Sequence, residues 1–79
     1  MNKIIHIGNF VFPLELAWDY HEKYFRENPL RALQRLVDFF PQYGHDKDTV
    51  REILKFQYQL RIPKETLWLL AIYKEYYLL

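Results

Sequence analysis

The sequence has no cysteine and no serine, and only two threonines, Thr49 and Thr66. Without thiols there is no disulfide framework, no thiolate zinc site and no iron–sulfur cluster. Without Ser or Cys the familiar acyl-transfer constellations have no nucleophile. Glycine is nearly absent too. A phosphate-cradling loop needs several glycines at fixed spacing, so that backbone N–H groups can approach the anion closely, and Gly8 and Gly44 stand alone. An excess of one charge is also missing. Eleven Lys+Arg against ten Asp+Glu leave a formal charge of +1, which argues against a strongly basic nucleic-acid clamp and against an acidic mimic of DNA. No apolar run approaches the roughly 18 residues of a membrane-crossing helix, because Lys74 and Glu75 interrupt the greasiest segment. The apolar start, Ile4 to Phe12, is broken by His6 and Asn9 and lacks a small-residue cleavage site, so it reads as structure rather than as a signal peptide. The expectation is a cytoplasmic protein without a membrane partner.

What is present is apolar bulk. The chain of 79 residues has room for one small globular domain, spanning 1–79, and 51% of it is hydrophobic and 19% aromatic. A domain of this size buries roughly 60–65% of its unfolded surface, so dense packing must supply the stability that disulfides cannot.

Ile4-Ile5-His6-Ile7 and Phe10-Val11-Phe12 are β-branched and aromatic runs separated by Gly8-Asn9, a pair suited to a two-residue hairpin turn with Gly in its first central position. The alternative is a single buried strand. Pro13 then suits the first position of a helix on which Leu14, Ala17, Trp18, His21 and Phe25 form the inner stripe, while Asp19–Lys23 and Glu22–Arg26 form acid-before-base pairs outside. Asn28-Pro29 ends that helix and starts a second, with Asn28 as cap and Leu30, Leu33, Leu36, Val37 and Phe40 inward. Pro41 stops it. Asp46 or Asp48 can cap a third helix, and Thr49 with Glu52 matches a capping box. Its inner stripe is Val50, Ile53, Leu54, Gln57 and Leu60, with Arg51, Glu52, Lys55 and Gln59 on the wet side. Ile62-Pro63 opens a fourth. All the connections are short, as in helices packed on their chain neighbours.

The fourth helix is the informative one. On a wheel, Trp68, Leu69, Leu70, Ile72, Tyr73, Tyr76, Tyr77 and Leu79 cover roughly 200° of arc, twice the apolar stripe of an ordinary surface helix. Such a helix is either enclosed at the centre of its bundle, or it covers the core with one side and binds something with the other. Three tyrosine hydroxyls on the arc favour the second reading, since a buried hydroxyl needs a partner.

Other constellations are weaker. His21-Glu22 begins like a zincin helix, but Phe25 stands where the second histidine belongs. His45-Asp46 with Asp48 looks like part of a calcium loop, but Val50 replaces a polar ligand, and helix capping explains both aspartates. His6, His21 and His45 form a metal or acid/base site only if the fold brings them together. The carboxylates fall mainly on solvent faces or caps, where nothing prepares them for proton transfer. Arg26, Arg31 and Arg35, and Lys47, Arg51 and Lys55, are basic clusters interleaved with acids. The third and fourth helices imitate a helix-turn-helix, but its recognition helix presents Trp and Tyr instead of Arg, Asn or Gln.

The expected architecture is α+β, mostly α, with an N-terminal hairpin packed on a compact bundle of four short helices, the fourth central. The expected function is a non-enzymatic protein–protein interaction module, such as an inhibitor, adaptor or accessory subunit. It would bind another protein or itself as a homodimer, through Trp68, Tyr73, Tyr76 and Tyr77. The alternative is a helix-turn-helix-like nucleic-acid-binding protein using Arg31, Arg35, Arg51 and Lys55. No cofactor, metal or small-molecule substrate is inferred.

Overall fold

Strands β1 (Ile4–Ile7) and β2 (Phe10–Pro13) pair antiparallel, with Ile4 opposite Pro13 and Ile7 opposite Phe10. This leaves Gly8-Asn9 as the two-residue turn. Gly8 has φ +57°, the left-handed backbone that glycine adopts without a Cβ penalty. The register turns Ile5, Ile7, Phe10 and Phe12 inward. Phe12 is sealed and meets the ring of Phe25 with centroids 4.7 Å apart. The computed structural model describes residues 3–19 and 21–79.

The first helix departs from its sequence reading. Pro13 ends β2 instead of opening a helix, and the Leu14 N–H donates to the Lys3 carbonyl at 2.9 Å, prolonging the ribbon. A 3-10 turn follows at Leu14–Leu16, Trp18 and Asp19 form a turn, and α1 is only Glu22–Glu27. The stripe from Leu14 to Phe25 is therefore divided. Trp18 is exposed, and His21 sits exposed at the N-cap position of α1. A long-range ion pair replaces the expected Asp19–Lys23 contact: Asp19 is held by Arg35, with Oδ1 and Oδ2 accepting at 2.9 and 3.0 Å. Glu22 and Arg26 do pair, at 2.8 Å.

Asn28-Pro29 divides α1 from α2 (Pro29–Asp38), as the sequence predicts, but the Asn28 amide donates back to the Tyr24 carbonyl at 2.8 Å instead of capping α2. Helix α2 buries Ala32, Leu33, Leu36 and Val37, while Leu30 stays partly in solvent. Gly44 then has φ +80°, and a Cβ there would lie 3.3 Å from Leu36 Cβ and 3.4 Å from Thr49 Cγ2. Of the possible caps for α3 (Lys47–Lys55) the structure uses Asp46, whose Oδ2 accepts from the N–H and the hydroxyl of Thr49. Asp48 pairs with Arg51 instead.

Helix α3 stops at Lys55, short of the Leu60 expected from periodicity. The Gln57 side-chain amide donates to the Leu54 carbonyl, satisfying a C-terminal acceptor, and a 3-10 turn runs over Gln57–Gln59. Glu52, expected on the wet side, is buried, because α3 packs against β2 as well as against its helical neighbours.

The fourth helix, α4 (Lys64–Tyr76), is peripheral and not central. It packs chiefly on α3 and contributes one large, fully buried side chain, Leu70, to a core made mainly by β2, α2 and α3. The result is a mostly helical α+β fold.

Candidate functional site: the outer face of the last helix

Helix α4 has two apolar sides. Thr66 and Leu70 are buried against the domain, and Leu69, Tyr73 and Tyr77 are half-buried around the core. On the other side Trp68, Ile72 and Tyr76 are 69%, 47% and 77% exposed. They recur every four residues and so stand in one row, roughly 12 Å long at 1.5 Å per residue. Leu67 and Ala71 lie beside that row and are exposed as well. The helix ends with the Leu79 N–H donating to the Lys74 carbonyl, and Leu78 takes φ +59°, the conformation usually reserved there for glycine. Leu78 is nevertheless exposed, extending the apolar surface past the helix end.

The four aromatic anchors predicted from sequence divide into two pairs. Trp68 and Tyr76 belong to the outer row. Tyr73 and Tyr77 belong to the packing side. The Tyr73 ring meets Phe40 edge-on at 5.4 Å and stacks near Tyr77 at 6.2 Å. The Tyr77 hydroxyl donates to the His45 carbonyl, tying α4 to the loop before α3. Burial pushes the Tyr77 phenol above its usual 10, and the nearby Asp46 charge adds to the shift. Leu67, Ala71, Ile72 and Leu78 complete the exposed surface and were not among the predicted anchors. Ile72 lies on the predicted apolar arc, but a wheel alone does not tell which half of that arc meets α3.

The basic residues of the alternative reading are largely engaged within the fold. The Arg35 side chain is only 17% exposed. It grips Asp19, donates to the Leu16 carbonyl at 2.7 Å, and lies 4.4 Å from the Trp18 ring centroid. That hydrogen-bonded pair lowers the Asp19 pKa below 3.8. Arg51 pairs with Asp48 at 2.9 Å. Lys55 places its ammonium 5.4 Å from the Phe56 ring, and Arg31 is exposed. Two of the four cations thus have their field reduced by a carboxylate in contact.

Among the described residues no group of three His, Asp or Glu side chains is arranged to hold a metal ion, so His6, His21 and His45 do not converge. No helix among them is long and apolar enough to cross a membrane. Comparison of the chain with protein-family models, curated proteins and solved structures finds no match.

Proposed function

We propose that the chain is a non-enzymatic protein-interaction module, an inhibitor, adaptor or accessory subunit, that docks through the outer face of α4. The observation that carries this reading is the row Trp68–Ile72–Tyr76, exposed on a helix whose opposite side is already committed to the core. The row is bordered by the exposed charges Lys64, Glu65, Lys74 and Glu75, and an exposed apolar patch with a polar rim is the pattern of an association surface.

The mechanism is occlusion or bridging. Trp68 and Tyr76 enter pockets of the partner, where large rings with few rotors bury much area at small entropic cost. Leu67, Ala71 and Ile72 exclude water around them. The partner offers an apolar groove or helix face, belonging to another protein or to a second copy of this chain. A standard interface covers about 800 Å² of each partner, roughly one-seventh of the 5665 Å² that this chain exposes. The row and its neighbours supply the centre of such a patch.

The test is Ile72→Lys in the middle of the row. The wild-type chain should self-associate across a concentration series in analytical ultracentrifugation, or bind a purified partner first identified from its source cell. The variant should lose that association with its circular dichroism spectrum unchanged. Association that survives Ile72→Lys places the interface elsewhere and overturns the reading.

A further inference from the structure

A second feature, sharing no residue with the α4 face, lies where the hairpin tip meets the start of α2 and the end of α3. These elements enclose a cleft of about 400 Å³, within the size range of small-molecule sites. Its walls are Ile7, Phe10, Leu33 and Phe56, and Glu52 and Lys55 are its charged residues.

Glu52 is the anomaly. It is 7% exposed, yet among the described residues nothing donates a hydrogen bond to its carboxylate and no cation lies within ion-pair distance. No side-chain polar atom among those residues is both sealed from solvent and unpartnered, so the carboxylate oxygens open onto the cleft. Lys55, one turn further along α3, does not come within ion-pair distance of Glu52; its ammonium lies 5.4 Å from the Phe56 ring. An acid with unfilled acceptor positions and little water among apolar walls attracts a cation more strongly than an acid in bulk solvent.

We propose that this cleft binds a small primary amine with an apolar body of about the size of a phenyl ring. The ammonium donates to the Glu52 carboxylate, and the body displaces water from Ile7, Phe10, Leu33 and Phe56. Lys55 repels a second positive charge and so selects monoamines over polyamines. Gly8 leaves the tip open, since a Cβ there would meet nothing within 4 Å.

A free arylalkylamine and an aromatic residue at a peptide's amino terminus offer the same chemistry, and titration separates them. Titrating the full ¹⁵N-labelled chain with 2-phenylethylamine should give saturable shifts of the Gly8, Glu52 and Phe56 amides. The isosteric acid 3-phenylpropionate should give none. A phenylalanyl dipeptide amide that binds more tightly than the free amine identifies a peptide terminus as the source, and weaker binding identifies the small molecule. Glu52→Gln should weaken the amine at least about tenfold, the equivalent of one charge-assisted hydrogen bond. Lys55→Ala, at an exposed position where folding is not at risk, should tighten it several-fold. Absence of saturation, equal binding of the acid and the amine, or unchanged affinity in both variants overturns the proposal.

Discussion

The two sides of α4 make opposite demands on a substitution, and the pair Tyr73→Ala and Ile72→Lys measures the difference. Tyr73 is half-buried with its ring edge-on to Phe40. Truncating a fully buried aromatic costs about 3–5 kcal/mol; at half burial, with the loss of the ring contacts to Phe40 and Tyr77, about 2–3 kcal/mol follows. For a domain of this size each kcal/mol moves the melting temperature by about 4–8 °C, so Tyr73→Ala should melt roughly 10–20 °C below the wild type. Ile72 is neighbour to Tyr73 in sequence but lies on the outer row, and Ile72→Lys should change monomer stability by no more than about 0.5 kcal/mol. In an interface the same lysine buries an unpaired ammonium at the centre of the patch and should cost at least about 2 kcal/mol, a roughly thirtyfold loss of affinity. Thermal melts of dilute protein give the first quantity, and ultracentrifugation gives the second. If Ile72→Lys melts as low as Tyr73→Ala, the outer row is packed in solution and the separation of the two faces is wrong.

Three further outcomes follow from the fold. Gly8→Ala, at left-handed backbone with open space around it, should destabilise by about 1–2 kcal/mol, and Gly44→Ala, which adds contact against Leu36 to the same backbone cost, should destabilise more; urea melts compare them. Asp46→Ala removes the acceptor for the Thr49 N–H and should cost about 1 kcal/mol, read from the same melts. The pKa shifts set the ends of the pH profile. Asp19 is lowered in the fold, so its contribution is present above 3.8 and is lost as pH falls through the folded value, reported by fluorescence of Trp18 as Arg35 is released. Tyr77 is raised, so its contribution is present below 10 and is lost as pH climbs through the folded value, reported by melts in alkaline buffer and absent in Tyr77→Phe.

The hairpin was legible because its chemistry is local. Two β-branched and aromatic runs flank a glycine in the first turn position, and nothing distant has to agree. Helices α2 and α3 were legible because proline and aspartate mark their starts and one apolar stripe sets their inner faces. The reading failed where a long-range contact decided the outcome. Leu14 to Phe25 has helical spacing, but the ribbon extends to Lys3 and Leu14, and Arg35, distant in sequence, claims Asp19. Arg35, read from sequence as part of a basic cluster, instead lays its guanidinium 4.4 Å from the Trp18 ring centroid while donating to the Leu16 carbonyl. Glu52 was missed for a related reason. Periodicity allots one inner stripe to a helix, whereas α3 is covered from two directions.

The same geometry bears on why α4 is apolar on both sides. Phe12, Phe25, Leu33, Leu36, Val37, Val50 and Ile53 are all sealed by β2, α1, α2 and α3, and α4 adds Leu70. A helix of thirteen residues, about 20 Å long, that needs to bury so little has ample room for polar residues, and α4 does expose Lys64, Glu65, Lys74 and Glu75 beside its apolar row. Core packing therefore accounts for Leu70 and the half-buried tyrosines but gives no reason for Trp68, Ile72 or Tyr76. Those side chains lie outside the buried core, although Tyr76 meets the Tyr77 ring edge-on at 5.2 Å, and in water they add a liability for aggregation. Under the proposed function a partner surface would supply the missing term, because the apolar area that the monomer leaves in water would become the area an interface removes from it.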